Sequence, residues 1–145
     1  MDMAEYTVGY LYTTKDMPLV LGRKDDIEPI VDSDASHGTG PHSRSITGEL
    51  PRLNEKSGAI SAKSKAQTSV KLSSFESELD NTTTNIKTAN RVYNTLTELT
   101  INSKQPRVRQ DNEAIMINFA KGQSGSKGTR HIELHMFYTH EEYYK

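Results

Sequence analysis

Residues 58–96, GAISAKSKAQTSVKLSSFESELDNTTTNIKTANRVYNTL, change their period part-way along, and that change decides the fold class. As far as Leu72, small, β-branched and polar residues alternate in the manner of a strand. From Ser73 onward Phe75, Leu79, Ile86, Ala89, Tyr93 and Leu96 recur at steps of four, seven, three, four and three, which is one face of a helix. Ser73 or Ser74 is placed to cap that helix, with Glu76 placed to return the capping bond. Thr82, Thr83 and Thr84 are weak helix formers, so the helix is expected to depend on packing.

Upstream, residues 44–53 (RSITGELPRL) read as the first arm of a hairpin whose second arm is 58–72 and whose tip is Asn54-Glu55-Lys56-Ser57. Pro51 weakens that first arm. Ile27 to Asp34 reads as a strand starting just after Pro29, because proline cannot donate to a sheet ladder. Gly38, Gly40 and Pro41 then demand a turn. Downstream of the helix, Arg107-Val108-Arg109 is a short strand, and Asp111 or Asn112 caps a helix carrying Ala114, Ile115 and Phe119. Residues 121–130 read as a basic loop and 129–145 as a last helix. Strand, hairpin, helix, strand, helix and helix in that order predict a mixed α/β domain.

At 145 residues the chain is about one domain long. Leu, Ile, Val and Phe supply 28 of those residues, so the expected core is thin and polar. The net charge of −1 gives no global attraction for nucleic acid, and any such site must come from local clusters. Without cysteine there is neither a disulfide framework nor a thiolate metal site. No apolar run approaches the roughly 20 residues that span a bilayer, and the start MDMAEYT does not resemble a signal peptide. The expectation is an intracellular chain, cytoplasmic or nuclear, with no membrane partner.

Three acids occupy informative places. Asp34 ends the first strand, Glu78 lies near the start of the long helix, and Asp111 ends the later strand. In a mixed sheet, strand ends and a helix start can converge across such separations. Clustered carboxylates raise the cost of ionising one another, and a divalent cation with a taste for hard oxygen ligands, Mg²⁺ or Mn²⁺, resolves that cost. Spacing alone leaves a second reading open, in which these are three of nineteen solvated surface acids. Lys63 and Lys65 alternate on one arm, Arg107 and Arg109 on one strand, and Arg130 lies in the basic loop. Such cations suit sequence-independent phosphate contacts, and they equally suit an ordinary solvated surface.

The wording around these residues adds to the reading. Tyr10-Leu11-Tyr12-Thr13-Thr14-Lys15-Asp16, Ser33-Asp34-Ala35, Arg44-Ser45-Ile46-Thr47-Gly48 and the run from Gly58 to Gln67 come first. Leu72-Ser73-Ser74-Phe75-Glu76-Ser77-Glu78, Asp111-Asn112-Glu113-Ala114-Ile115 and Thr129-Arg130-His131-Ile132-Glu133 follow in order. Together, from about residue 10 to 140, they resemble the ribonuclease H domain of a Ty1/copia-type retrotransposon polyprotein. That resemblance implies a ribonuclease H-like fold, a five-stranded mixed sheet flanked by helices, cutting the RNA strand of RNA–DNA hybrids with Mg²⁺ or Mn²⁺. It implies Asp34, Glu78 and Asp111 as catalytic metal ligands, with Glu133 in a further acidic place. It also implies an upstream reverse transcriptase region as partner. Residues 1–24 are then a connector from that polymerase-like region, and 25–145 the ribonuclease H-like domain.

The chain also departs from the family. The family's fourth carboxylate lies in an Ala-Asp motif beyond one more strand, and this chain reaches Lys145 without it, so the domain is expected to lack its last strand and helix. The second strand is normally apolar and aromatic, whereas here it reads Glu49-Leu50-Pro51-Arg52. The helix after Glu78 is normally rich in small apolar residues, whereas here it reads Asp80-Asn81-Thr82-Thr83-Thr84. The alternative expectation is therefore a catalytically impaired, nucleic-acid-binding remnant of such a domain.

Overall fold

The computed structural model describes residues 2–22, 26–113 and 115–117. The expected start of the first strand holds, since β1 (Ile30–Ser36) begins at the residue after Pro29. A 3₁₀ turn (Pro41–Ser43) leads into β2 (Ile46–Arg52), which pairs antiparallel with β1 from Ile30↔Arg52 to Ser36↔Ile46. The hairpin's second arm is far shorter than its sequence pattern predicts. Only β3 (Lys63–Ala66) is strand, paired with Ile46 to Glu49, and an isolated bridge joins Arg52 to Ala59. The tip closes as an Asn turn, in which Asn54 Oδ1 accepts the Lys56 N–H at 3.0 Å.

Pro51 sits within β2 without interrupting its pairing with β1. Its carbonyl accepts from the Ile60 N–H rather than from β1, at 2.9 Å. In an antiparallel strand a residue's N and O point to the same side, so the missing N–H also faces away from β1 and costs that pairing nothing. It removes a donor only on the β3 side, where regular pairing has already ended.

After β3 comes α2 (Ser74–Glu98), a 25-residue helix, and then β4 (Arg107–Gln110), which pairs parallel with β1 from Ile30↔Arg107 to Ser33↔Gln110. The sheet order is β3-β2-β1-β4. Among the described residues the architecture is a four-stranded mixed sheet with a long helix laid across one face, an α/β arrangement in keeping with the sequence.

Ser73 caps α2 as expected, its Oγ accepting the Glu76 N–H at 3.1 Å. The Glu76 carboxylate accepts from Leu72 N–H at 3.0 Å, one residue earlier than a capping box would place it. Of the anticipated apolar face, Leu79, Ala89 and Leu96 are buried, while Phe75, Ile86 and Tyr93 are half-buried. The unanticipated feature is polar. Ser77, Glu78, Asn81, Thr82, Thr83 and Asn85 are buried too, so α2 meets the sheet largely through hydrogen-bonding side chains. The threonines settle into the helix by returning their hydroxyls to carbonyls four residues back, Thr82 to Glu78, Thr83 to Leu79 and Thr84 to Asp80. Asn81 Nδ2 donates to Ser33 Oγ of β1 at 3.0 Å, and Asn85 Nδ2 donates to Gly48 O of β2 at 3.1 Å.

Beyond β4, Asn112 Oδ1 accepts the Ile115 N–H at 3.3 Å, capping the helical turn at 113 and 115–117. Ile115 is fully buried and packs with Leu79 and Phe75. The expected helix residues Ala114 and Phe119, the basic loop 121–130 and the segment 129–145 lie outside the described residues. Within the expected connector, α1 (Met3–Thr14) forms a helix with a capping box from Asp2 and Glu5, and it buries no residue. The stretch after it is anchored. Gly58 N–H donates to Val20 O at 2.8 Å, and a Cβ on Gly58 would come within 2.4 Å of Leu19 Cδ1, an exposed side-chain end that would have to move aside. Among the described residues no helix is long and apolar enough to cross a membrane.

Candidate active site

Parallel pairing of β1 with β4 brings two of the three predicted acids to one end of the sheet. Ser33 is the partner of Gln110, so Asp34 and Asp111 are the next residues along each chain. Both are exposed. Glu78, in the second turn of α2, reaches the same end from the helix side and is only 9% exposed. Residues 44 and 33 positions apart are thus brought together by β1, α2 and β4.

The electrostatics register that proximity. Burial pushes the Glu78 carboxyl above its usual range, and the charges of Asp34 and Asp111 push it the same way. Hydrogen bonds from the Gln110 amide and the Ala35 backbone N–H act in the opposite sense, by favouring the anion. Among the described residues no three His, Asp or Glu side chains are grouped tightly enough to hold an ion as they stand. The donor chemistry nevertheless suits a hard divalent cation, because the buried carboxylate of Glu78 feels the charges of two exposed ones, Asp34 and Asp111.

An open cleft of about 830 Å³ runs over this end of the sheet and is lined from all the strands, with Lys63 and Ser64 of β3 on one side and Asp34, Arg109 and Asp111 on the other. Of the predicted phosphate-binding cations, Lys63 lies at the cleft but pairs with the buried Glu49 at 3.1 Å. Thr88 of α2 holds the other Glu49 oxygen at 3.0 Å. Lys65 is exposed on the β3 edge, across from Thr47. Arg109 also lines the cleft, Arg107 does not, and both are held by acids. Arg107 pairs with Glu28 (2.8 Å) and Glu55 (3.2 Å), and Arg109 with Asp32 and Glu55 (2.9 Å). The structure therefore does not gather the two lysines and the two arginines into one basic patch. Arg130 and Glu133 lie outside the described residues.

Sequence reading missed two contributors. Asp32 alternates with Asp34 along β1, a visible signal, and it binds both Arg52 (2.8 Å) and Arg109. Gln110 gave no signal, yet its amide donates to Glu78 Oε2 at 3.0 Å and to Thr82 Oγ1 at 2.8 Å. No family model, no curated protein and no solved structure matches the chain.

Proposed function

We propose that the chain is a metal-dependent, ribonuclease H-like nuclease that cuts the RNA strand of RNA–DNA hybrids, as the nuclease portion of a retrotransposon polyprotein with a reverse transcriptase region upstream. The observation that carries the reading is the meeting of Asp34, Glu78 and Asp111 at one sheet end, beside an open cleft. The order β3-β2-β1-β4, with three antiparallel strands and a fourth parallel to the first, supports it.

Asp34, Glu78 and Asp111 would hold Mg²⁺ or Mn²⁺, and such ions supply an activated water and stabilise the leaving oxygen in phosphodiester cleavage. The chain's own work would be to keep Asp34 and Asp111 at the open cleft with the buried Glu78 close behind them. Lys63 and Lys65 at the β3 side offer phosphate contacts that ignore base identity. The RNA strand is distinguished by its 2′-hydroxyls and duplex shape. The test is cleavage of a hybrid labelled on its RNA strand, with Mg²⁺ or Mn²⁺. Asp34→Asn should abolish cleavage while leaving the fold intact, and a variant that cuts as fast as wild type would sink the assignment.

A second reading, an impaired domain that binds hybrids without cutting them, is favoured by one observation. Glu78 already spends its oxygens on Gln110 and Ala35, and the three acids are not closed around one point. Hybrid affinity would then fall steeply with salt whether or not metal is present. Metal-dependent cleavage at any salt rejects that reading.

A further inference from the structure

Gln110 is the last residue of β4, and its side chain joins four groups at the point where the strand ends. Its Oε1 accepts the backbone N–H of Asp111 at 2.8 Å and that of Asn112 at 3.4 Å. A backbone N–H can only donate, so this end of the amide is the oxygen, and the NH₂ end must point the other way. That NH₂ donates one proton to Glu78 Oε2 (3.0 Å) and the other to Thr82 Oγ1 (2.8 Å), one helical turn further along α2. Thr82 is itself held, because its hydroxyl donates to Glu78 O. The amide thus ties the segment that bears Asp111 to the helix turn that bears Glu78, with its polarity set from the backbone side. No other standard side chain does this. Glutamate has no donor for Glu78, asparagine is one methylene too short to span both sides, and methionine matches the length but makes none of the bonds.

We propose that Gln110 is a positioning residue that fixes Glu78 and Asp111 relative to one another as a pair of metal-facing carboxylates, an inference that rests on the nuclease reading above. The Gln110 amide is spent on Glu78, Thr82 and the Asp111 and Asn112 backbone. It acts through Glu78, whose carboxylate it holds by one oxygen, and through Asp111, whose backbone it anchors.

The experiment is Mn²⁺ titration by calorimetry on the full chain, wild type against Gln110→Met, alongside hybrid cleavage. Loss of such an outer hydrogen bond costs about 10–100-fold in metal affinity or activity in metal sites generally. We expect Mn²⁺ binding to weaken by about that factor, and kcat on the hybrid to fall at limiting Mn²⁺ with KM for the hybrid unchanged, because the amide faces inward. A general loosening of the fold would raise KM as well. A folded Gln110→Met chain with wild-type Mn²⁺ affinity and wild-type kcat overturns the proposal and leaves the nuclease reading standing. If Gln110→Met does not fold, Thr82→Val carries the test. It removes one of the two acceptors of the amide, and it should weaken Mn²⁺ binding in the same direction by a smaller factor, an unchanged constant overturning the proposal. Wild-type protein that neither cuts the hybrid nor binds Mn²⁺ defeats the parent reading and this inference together.

Discussion

Beyond the buried Ile30 and Val31, the two faces of β1 are both polar, and they are polar in opposite ways. Ser33 turns toward α2 and joins a set of amides and hydroxyls, with the buried Asn81, Asn85 and Thr82 and the half-buried Gln110, in which neutral groups bond one another while the buried Asn85 Oδ1 has no partner among the described residues. Asp32, one residue earlier, turns away from the helix and meets a lattice of full charges, Arg52, Arg107 and Arg109 against Glu28, Asp32 and Glu55. The side chains of Glu55 and Arg107 there are about half exposed. The chain has few large apolar residues to seal either face. Apart from the buried carboxylates Glu49 and Glu78, it has buried groups whose desolvation a hydrogen bond can offset, and the charges of the Arg–acid lattice stay nearer water, where their desolvation costs less. The lesson is that equal polarity does not mean equal stakes, and each face can be tested for what it contributes.

The largest expected effect is on the helix-covered face. Leu79 is 2% exposed and packs with Ile115 and Phe75 in a small apolar cluster. Leu79→Ala should cost about 2–5 kcal/mol in urea unfolding, as other buried leucines do. A loss well under about 1 kcal/mol would mean the polar contacts alone hold α2 in place and the cluster is incidental.

Next comes the amide network. Asn81→Ala deprives Ser33 of its donor and Asn85 of one of its two acceptors, Gly48 O remaining, both in buried surroundings. The same unfolding measurement should show a loss of about 1–3 kcal/mol, the cost of leaving buried partners unpaired. The prediction also exposes what sequence could and could not reveal. Ser73 as cap, the step to helical period after it, the strand start after Pro29 and the strand at Arg107 were legible, because each is a local rule of backbone geometry. The buried polar face was not. Asn81, Thr82 and Asn85 look like weak helix residues in one dimension, and nothing in the chain order tells Asn81 that its partner lies 48 positions earlier. The short β3 escaped for a similar reason, since the arm from 58 to 72 alternates throughout while its pairing ends opposite Glu49. Asp34, Glu78 and Asp111 were picked out by family resemblance rather than spacing, and Gln110, whose bond to Glu78 spans 32 positions, by neither.

Glu78 sharpens the comparison, because it is the one carboxylate on the neutral face whose charge is plainly resisted. Burial first, then the charges of Asp34 and Asp111, raise its pKa above the ordinary glutamate value. Between the ordinary and the raised values the folded chain binds the proton more tightly than the unfolded chain, so stability falls as pH rises through that window. The stabilising contribution of protonated Glu78 is complete below about pH 4.3 and lost above the raised value. Glu78→Gln keeps the shape and an acceptor for Gln110 without the charge. It should melt a few degrees higher than wild type at neutral pH, with the gap closing as pH falls toward the ordinary glutamate range. A gap that stays constant across melting curves from acid to neutral pH would show that neither burial nor the neighbouring acids oppose its ionisation.

The smallest effect belongs to the charged face. Arg109 is nearly half exposed and bonds Asp32 and Glu55, but neither acid depends on it alone. Asp32 keeps Arg52 at 2.8 Å, and Glu55 keeps Arg107 at 3.2 Å. Arg109→Met therefore removes one cation from a lattice that can close around the gap, and the half-exposed position leaves water to solvate what remains. The expected cost is about 0–1 kcal/mol, the range for exposed ion pairs. It should shrink in 1 M salt, where the screening length falls to about 3 Å. Arg52→Met should cost more than Arg109→Met, because the Arg52 side chain is only 15% exposed. The Asn81→Ala loss, by contrast, should not change with salt, because no net charge is involved. An Arg109→Met loss as large as that of Asn81→Ala and equally indifferent to salt would erase the distinction between the two faces, and with it the claim that the chain places its charges where breaking them matters least.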